Sequence, residues 1–357
     1  MNQSSMKSSV VVVAILAALF WAPENQAYCE DAVSDVDGAW VTSMARVGDS
    51  DKFVASTASG LLLRPADVVS FEASDPAVLM TLYSHPAAVW RVVATGDGQT
   101  VASVDYRGNL MTFNTEGGEA KTFEKAFERW CQALVLMPDQ KSVIAGNEGG
   151  KVFLWNLADA KVAKSVELDG HAVTGLAVSP DGAMAAACDG GGHVHLLKLP
   201  ELEAVGKIEF GTEPAWCVAM IDDGKKLVVG SGDRNLYQCE AVADAKSEVI
   251  AKGTDWITQI AVSPAGQIAA SEVGGRLHFP ASDSMDAPSG VWSLAWNGDG
   301  QLLVGTRKSG VVAAGRSWSW SKPKPKPAAA PETTKPAGSQ EGKVDDETPP
   351  QDGSTDE

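Results

Sequence analysis

Hydrophobic residues between about positions 38 and 320 occur in short runs separated by turn residues. In the clearest unit, the stretch GHAVTGLAVSPDG at 170–182 precedes an apolar run at 183–188. A glycine-rich turn at 189–192 and a second apolar run at 193–199 complete it. Short runs rich in Val, Ala and Leu and bounded by Gly, Asp or Asn predict β-strands. Because no long helical period interrupts them, the pattern predicts an all-β fold.

The same unit recurs seven times. The residues predicted to open the third strand of each copy are Leu61, Asn109, Lys151, His193, Asn235, Arg276 and Val311. Glycine precedes six of these seven positions, and four of the six spacings between them are 41 or 42 residues. A four-stranded propeller blade occupies ~40–45 residues. We therefore predict a seven-bladed β-propeller of four-stranded antiparallel blades over residues 38–320.

Two parts of this arrangement are less regular. The charged segment at 119–129 is predicted to connect the second blade to the third. The outer strand that completes the seventh blade has two candidate sources, residues 317–320 and residues 31–37.

The repeats resemble those of a known family. The stretch at 170–182 resembles the opening of a WD-repeat (WD40) unit, and GKVFLWN at 150–156 resembles its closing strand, with Asn156 where the family has Asp. The chain thus resembles a divergent, exported, bacterial-type member of the WD40-repeat β-propellers. The resemblance implies that the first strand of each blade lines the central channel. The family's Asp–His–Ser/Thr–Trp network is incomplete in every repeat; the fourth has His171 and Asp189, but Leu197 replaces Trp.

The first residues predict export. An unbroken apolar run at 10–20 follows Lys7 and is shorter than the ~20 residues that span a bilayer. With Ala27 as a cleavage position, residues 1–27 match a secretory signal peptide, and residues 28–37 form a linker. We expect a periplasmic or extracellular protein without a stable membrane span after cleavage; an uncleaved anchor is the alternative. Tyr28, which stands before Cys29, disfavours lipidation of that cysteine.

Composition bears on the C-terminal end of the chain and on the kind of partner that the protein binds. Residues 321–357 are rich in Lys and Pro and then acidic, with almost no large apolar residue, which predicts a disordered tail. The whole chain has 46 acidic and 29 basic residues, a net charge of -17. Such a charge repels phosphate backbones and disfavours a nucleic-acid partner. We expect a monomer that binds a protein or peptide.

Tryptophan is the candidate binding residue. Six repeats place one near the start of the first strand: Trp40, Trp90, Trp130, Trp216, Trp256 and Trp292. Five of the six lie either 8 or 10 residues before the turn glycine, or its substitute, that follows the first strand. Positions two residues apart in a strand point to the same face, so these side chains should share one face. The WD40 resemblance then implies a ring of indoles at one channel mouth. The ring either packs between blades or forms a binding rim for a peptide, glycan or aromatic ligand. Exposure is expected first at Trp130 and Trp256.

Motifs for metal or cofactor chemistry are scarce. His193 and His195 share a strand face, but the third ligand of a zinc site would have to come from another blade, and His278 lies two blades away. No metal site and no cofactor are therefore expected. Without a C-x-x-C pair, the cysteines are expected to be buried free thiols.

Catalytic motifs are also missing from the sequence, which contains no nucleophile elbow, no phosphate loop and no dinucleotide fingerprint. We therefore predict a non-catalytic binding or scaffold protein of the cell envelope, with no catalytic residues. The alternative is a lactonase- or quinoprotein-like enzyme with acids in the propeller channel. Its candidate acids lie beside the tryptophans: Glu128, Glu213 and Asp255.

Overall fold

The computed structural model describes residues 39–315, which form 27 strands and no helix. No helix long and apolar enough to cross a membrane is found in this range. The predicted signal peptide, linker and tail lie outside the described residues. So do both segments that were considered for closing the ring, at 31–37 and 317–320.

The strands form seven antiparallel sheets in chain order, and in each sheet sequence neighbours pair. Blade 1 contains β1 (Trp40–Arg46), β2 (Lys52–Ala58), β3 (Ala66–Glu72) and β4 (Asp75–His85). Blade 2 contains β5 (Val89–Ala94), β6 (Thr100–Asp105), β7 (Leu110–Asn114) and β8 (Glu119–Phe123). Blade 3 contains β9 (Cys131–Leu136), β10 (Ser142–Asn147), β11 (Lys151–Asn156) and β12 (Lys161–Glu167).

The remaining four blades repeat this order. Blade 4 contains β13 (Val173–Val178), β14 (Met184–Asp189), β15 (His193–Lys198) and β16 (Glu203–Glu209). Blade 5 contains β17 (Ala215–Ile221), β18 (Lys226–Ser231), β19 (Asn235–Glu240) and β20 (Glu248–Lys252). Blade 6 contains β21 (Ile257–Val262), β22 (Ile268–Glu272), β23 (Arg276–Phe279) and β24 (Ser282–Asp286). Blade 7, within the described range, contains β25 (Val291–Trp296), β26 (Leu302–Thr306) and β27 (Val311–Ala313).

The sheets close into a ring, so the predicted seven-bladed propeller is confirmed. The first strand of every blade contacts the first strand of the next, and β1 also contacts β25 and β26 of blade 7. The apolar core lies between adjacent blades. Between blades 3 and 4, for example, Ile144 and Val152 pack with Ala185 and Leu197, all fully buried. In such a ring each sheet keeps only short edges, which the neighbouring blades and the channel protect.

Two predicted elements differ from the structure. The third strand of blade 1 begins at Ala66 rather than at Leu61. Pro65 just before it has no N–H for a strand ladder, so residues 61–65 form a loop instead. The segment predicted to connect blades 2 and 3 begins with a strand, β8, which is the outer strand of blade 2. Its charged side chains are compatible with a strand because that outer edge faces solvent.

Every first strand carries an irregularity at the same place. The register between first and second strands slips by one residue, which leaves one unpaired residue near the start of each first strand. The unpaired residues, in blade order, are Thr42, Trp90, Gln132, Thr174, Trp216, Thr258 and Trp292. A β-bulge changes the alternation of side chains along a strand. The seven bulges therefore re-aim side chains at the same end of the channel.

Candidate functional site: the tryptophan cluster at the channel mouth

The six tryptophans occupy two positions relative to the bulge. Trp90, Trp216 and Trp292 are the bulge residues of blades 2, 5 and 7. The tryptophans of blades 1, 3 and 6 stand two residues earlier, and there the bulge residue is Thr or Gln. Where the bulge carries the indole, the earlier position holds Ala88, Pro214 or Gly290. Each of these six blades thus contributes one indole and one smaller side chain.

Together the indoles form one aromatic cluster, which we call the tryptophan cluster. Trp40 contacts Trp90 and Trp292, with ring centroids 5.7 and 4.8 Å apart. Trp90 also contacts Trp130 at 5.8 Å, and Trp216 stacks on Trp256 at 5.5 Å. The WD40 resemblance implied that these six residues converge at one channel mouth, and the structure places all six in one cluster. Blade 4, with Ala172 and Thr174 at the two positions, contributes no indole.

Burial differs among the six. Five are buried, with exposures from 3% at Trp40 to 9% at Trp292. Trp256 is half-buried, whereas Trp130, which was also expected to be exposed, is buried at 7%. The indole N–H groups of Trp90, Trp130, Trp216 and Trp292 are buried without a hydrogen-bond partner among the described residues. Five of the six indoles thus use most of their surface in contacts within the fold rather than at the surface of the mouth.

A second ring of residues surrounds the cluster. In blades 2 to 7 the residue that follows the second strand donates its N–H to a carbonyl beside the start of the first strand, as in Tyr106 to Ala88 and Arg307 to Gly290. This bond places Tyr106 against Trp130, with ring centroids 5.0 Å apart. It also places the guanidinium of Arg307 over Trp40, 5.5 Å from the ring centroid. The mouth therefore combines aromatic surface with a cation.

Two cavities open beside the cluster. One of about 430 Å³ is lined by Trp292, Ser289 and Gly290, together with Arg307 and Lys308. The other, of about 340 Å³, has mixed charge. Its charged lining residues are Glu213, Asp233, Arg234 and Lys252, and Trp256 forms its aromatic wall. Both volumes are in the range of ligand pockets.

Bulge threonines hold neighbouring blades together beneath the mouth. The hydroxyl of Thr42 donates to the carbonyl of Val89, the first residue of the next blade. Thr174 makes the same bond to the carbonyl of Ala215. Thr42 thus joins blade 1 to blade 2, and Thr174 joins blade 4 to blade 5. In blades 1 and 4 the bulge residue is a threonine rather than a tryptophan.

A polar network that the sequence did not reveal supports blade 2. His85 lies between the side chains of Asp105, 3.2 Å from its Nδ1, and Ser103, 2.7 Å from its Nε2. Ser103 also bonds the hydroxyl of Tyr83 at 2.8 Å, and Asn109 donates to Asp105 at 2.9 Å. Burial raises the pKa of Asp105, but hydrogen bonds from His85 and Asn109 outweigh it, so the net shift is downward. Tyr83 comes from the outer strand of blade 1, so the network joins two blades.

The network of blade 4 departs from the family pattern. Asp189 bonds His195 at 2.9 Å and His193 at 3.2 Å, both on its own blade. The family histidine, His171, has its Nδ1 buried without a hydrogen-bond partner among the described residues. A third carboxylate, Glu272 of blade 6, bonds His278 at 2.8 Å. Buried histidine–acid pairs thus stand in alternate blades.

The acids considered for channel catalysis are not brought together. Glu128 forms an ion pair with Lys151, 2.5 Å from Nζ, and Asp255 accepts the N–H of Trp256. Glu213 lines the smaller cavity. The three stand on the separate loops before β9, β21 and β17.

The described cysteines, Cys131, Cys188, Cys217 and Cys239, are free and buried. Burial raises the pKa of Cys131 and of Cys188 to about 12. Arg91 of β5 lies near the thiols of blades 3 to 5 and donates to the carbonyl oxygens of Thr42 and Trp90. At neutral pH these cysteines are therefore thiols rather than nucleophilic thiolates.

Comparison with known proteins supports the fold type. Residues 163–196 match the family model described as WD domain, G-beta repeat. That segment runs from the outer strand of blade 3 to the third strand of blade 4.

Three animal proteins share part of the sequence. "Transcription factor unc-37" of Caenorhabditis elegans is 29% identical over 119 residues, which are 33% of this chain and 19% of the relative. "Transducin-like enhancer protein 2" of Mus musculus is 29% identical over 114 residues, 31% of this chain and 15% of the relative. "Protein groucho" of Drosophila melanogaster is 26% identical over 111 residues, 30% and 15% respectively. The match spans less than a fifth of each of these relatives. The chain is a seven-bladed β-propeller, and one of its repeats is similar to the WD repeat.

Proposed function

We propose that this protein is a non-catalytic binding module that receives a protein or peptide segment at the channel mouth, over the tryptophan cluster. The observation that carries the proposal is the convergence of six indoles with Arg307 beside two cavities. Tryptophan and arginine are the residue types most enriched among the residues that dominate binding energy at protein interfaces. Because five of the six indoles are buried, a bound segment would contact mainly the half-buried Trp256 and the guanidinium of Arg307, which lies over Trp40.

The charge of the larger cavity narrows the chemistry of that segment. Among residues 39–315, its lining includes Arg307 and Lys308 and no acidic residue, although the chain carries a net charge of -17. Both residues are accessible to solvent, and partial burial lowers the pKa of the Arg307 guanidinium. An acidic side chain or a terminal carboxylate of the partner would be attracted there, while an apolar or aromatic neighbour would contact Trp292. We therefore expect a ligand motif that pairs an acidic group with a large apolar residue.

Selection from a displayed library of random peptides tests the proposal. The full-length protein should enrich sequences of this motif, and a synthetic peptide of the motif should bind with a measurable Kd. Changing Arg307→Gln and Lys308→Glu together should weaken that binding about tenfold or more, because hydrogen-bonded charge pairs at interfaces commonly carry ~2 kcal/mol or more. The matched control is Lys161→Gln with Lys164→Gln on β12, far along the chain from the cavity and on an exposed outer strand.

The outcome depends on comparing the two variants. Loss of binding in the cavity variant, with the β12 variant unchanged and both melting as the parent does, supports the channel mouth as the site. Equal binding by all three proteins, or no enrichment at all, would contradict it.

We further propose that the protein acts outside the cytoplasm, in the cell envelope or beyond it. The basis is the short apolar segment followed by Ala27. The proposal for the binding site does not depend on it.

A further inference from the structure

A group of metal-binding side chains lies at the junction of blades 3 and 4. Ligand atoms of Asp169, His193 and His195 all lie within 4.8 Å of one another, and within residues 39–315 this is the one such group. The two histidines come from β15, and Asp169 comes from the loop that leads into blade 4. The third ligand was expected to come from another blade, but Asp169 in the loop between β12 and β13 supplies it.

Asp189 holds both imidazoles in place. Its Oδ1 accepts the N–H groups of Gly191 and His193 at 2.9 and 3.0 Å, which fixes the carboxylate. The same carboxylate bonds one ring nitrogen of His193 and one of His195. A metal-binding imidazole characteristically donates its other N–H to a carboxylate, which sets the ring orientation and raises its basicity. Asp189 is 1% exposed, so this outer carboxylate is buried.

Asp169 is also held in position. Just before it, Leu168 donates its N–H to Gly150 at 2.8 Å, and just after the loop the carbonyl of Ala172 accepts from Gly190 at 2.9 Å. These bonds anchor the loop to the turns of blades 3 and 4. A carboxylate oxygen of Asp169 also lies 3.1 Å from the ammonium of Lys207, which holds the side chain in one place.

We propose that Asp169, His193 and His195 bind a divalent transition-metal ion such as Zn²⁺, with Asp189 as the supporting outer carboxylate. Two imidazoles and one carboxylate are a ligand set that suits zinc and its neighbours rather than Mg²⁺ or Ca²⁺, which prefer oxygen ligands. The set leaves a fourth position open. His171 lies alongside, with its ring centroid 6.0 Å from that of His193.

A competing cation stands beside the site. The ammonium of Lys207 is 3.1 Å from a carboxylate oxygen of Asp169, and it also lies 3.8 Å from Glu209. Metal binding would displace the ammonium from Asp169 towards Glu209. Removing the lysine charge should therefore strengthen metal binding rather than weaken it.

Titration of the full-length protein with Zn²⁺, followed by calorimetry, tests the inference. We expect one tight equivalent that a large excess of Mg²⁺ does not displace. Replacing an outer-shell partner of a metal ligand already costs ~10–100-fold in metal affinity, so Asp169→Asn and His193→Gln, which each remove a direct ligand, should weaken binding by at least that much. Lys207→Met should bind at least as tightly as the parent. The matched control is Asp159→Asn. Asp159 is also exposed and paired with a lysine, Lys161, but it lies in the turn between β11 and β12.

The variants separate this site from other zinc ligands of the chain. A tight equivalent lost in Asp169→Asn and kept in Asp159→Asn supports the site, and Asp169→Asn decides the matter even if His193→Gln fails to fold. Absence of a saturable zinc equivalent in the parent protein, or an equivalent unchanged in Asp169→Asn, would overturn the inference. Neither result bears on peptide binding at the channel mouth.

Discussion

The indoles of Trp40 and Trp292 meet edge to face, with ring centroids 4.8 Å apart, although they stand in the first and last blades of the array. Trp40 opens β1, and Trp292 is the bulge residue of β25. The contact therefore lies across the junction where the ring closes, beside the strand contacts of β1 with β25 and β26. The tryptophan cluster is part of ring closure as well as the floor of the channel mouth.

Replacing a buried indole should cost stability. Trp292→Ala is expected to lower the free energy of unfolding by ~3–5 kcal/mol, because it leaves a cavity within the cluster. Trp256→Ala should cost less, since that side chain is half-buried. Urea unfolding of both variants measures the difference. If Trp292→Ala unfolds like the parent protein, the cluster is not a packing element.

The polar network of blade 2 should be cooperative. Ser103→Ala leaves the buried Tyr83 hydroxyl and a nitrogen of His85 without their shared partner. Each buried group left unpaired costs ~1–3 kcal/mol, so Ser103→Ala should destabilise the protein more than Tyr83→Phe, which removes one hydroxyl. A double-mutant cycle on the two residues, read by thermal unfolding, should show positive coupling; additive losses would argue against the network.

Stability should fall in acid. The pKa values of Asp105 and Asp189 lie below the ordinary aspartate value of 3.8; burial raises both, but hydrogen bonds to the carboxylates outweigh it. A carboxyl group with a lowered pKa in the folded state stabilises the fold above its unfolded pKa and loses that contribution as the pH drops through the folded value. The urea midpoint should therefore decline below about pH 4. Asp189→Asn should lower the neutral-pH midpoint and flatten the acid decline, and an unchanged profile would contradict this.

Close approach between blades should exclude even a methyl group. A Cβ at Gly146 would lie 2.3 Å from Cγ1 of Val173, in the next blade. Gly146→Ala should therefore destabilise the propeller by ~1–3 kcal/mol through overpacking. Gly117→Ala is the matched control, because its nearest neighbour would be 3.8 Å away, at the Asn114 side chain. Chemical denaturation of the pair checks the expectation, and equal midpoints would refute it.

Export predicts a processed N-terminus. If residues 1–27 are removed, protein isolated from its native source should begin at Tyr28. Intact-mass spectrometry measures this directly. A native protein that begins at Met1 would rule out cleavage at this position.

The amino-acid pattern by itself was sufficient for the blade count and for most strands. Third strands begin at Lys151, His193, Asn235, Arg276 and Val311, as their spacing predicted. Strand alternation and turn glycines are local properties, so they can be read without knowing what each strand packs against. The prediction was wrong in blade 1, where the third strand begins after Pro65 rather than at Leu61. It was also wrong at β8, where a charged segment that was predicted to be a connection forms the outer strand.

The tertiary structure decided the contacts between blades. Spacing placed the tryptophans at two offsets, but the bulge and ring closure determine that five of the six are buried and that Trp40 meets Trp292. Likewise, Asp189 pairs with His195 rather than His171, and Asp169 reaches both histidines of β15. A sequence period fixes which face of its own strand a side chain occupies. It does not fix which loop of a neighbouring blade stands opposite, because that depends on the curvature and packing of the whole ring.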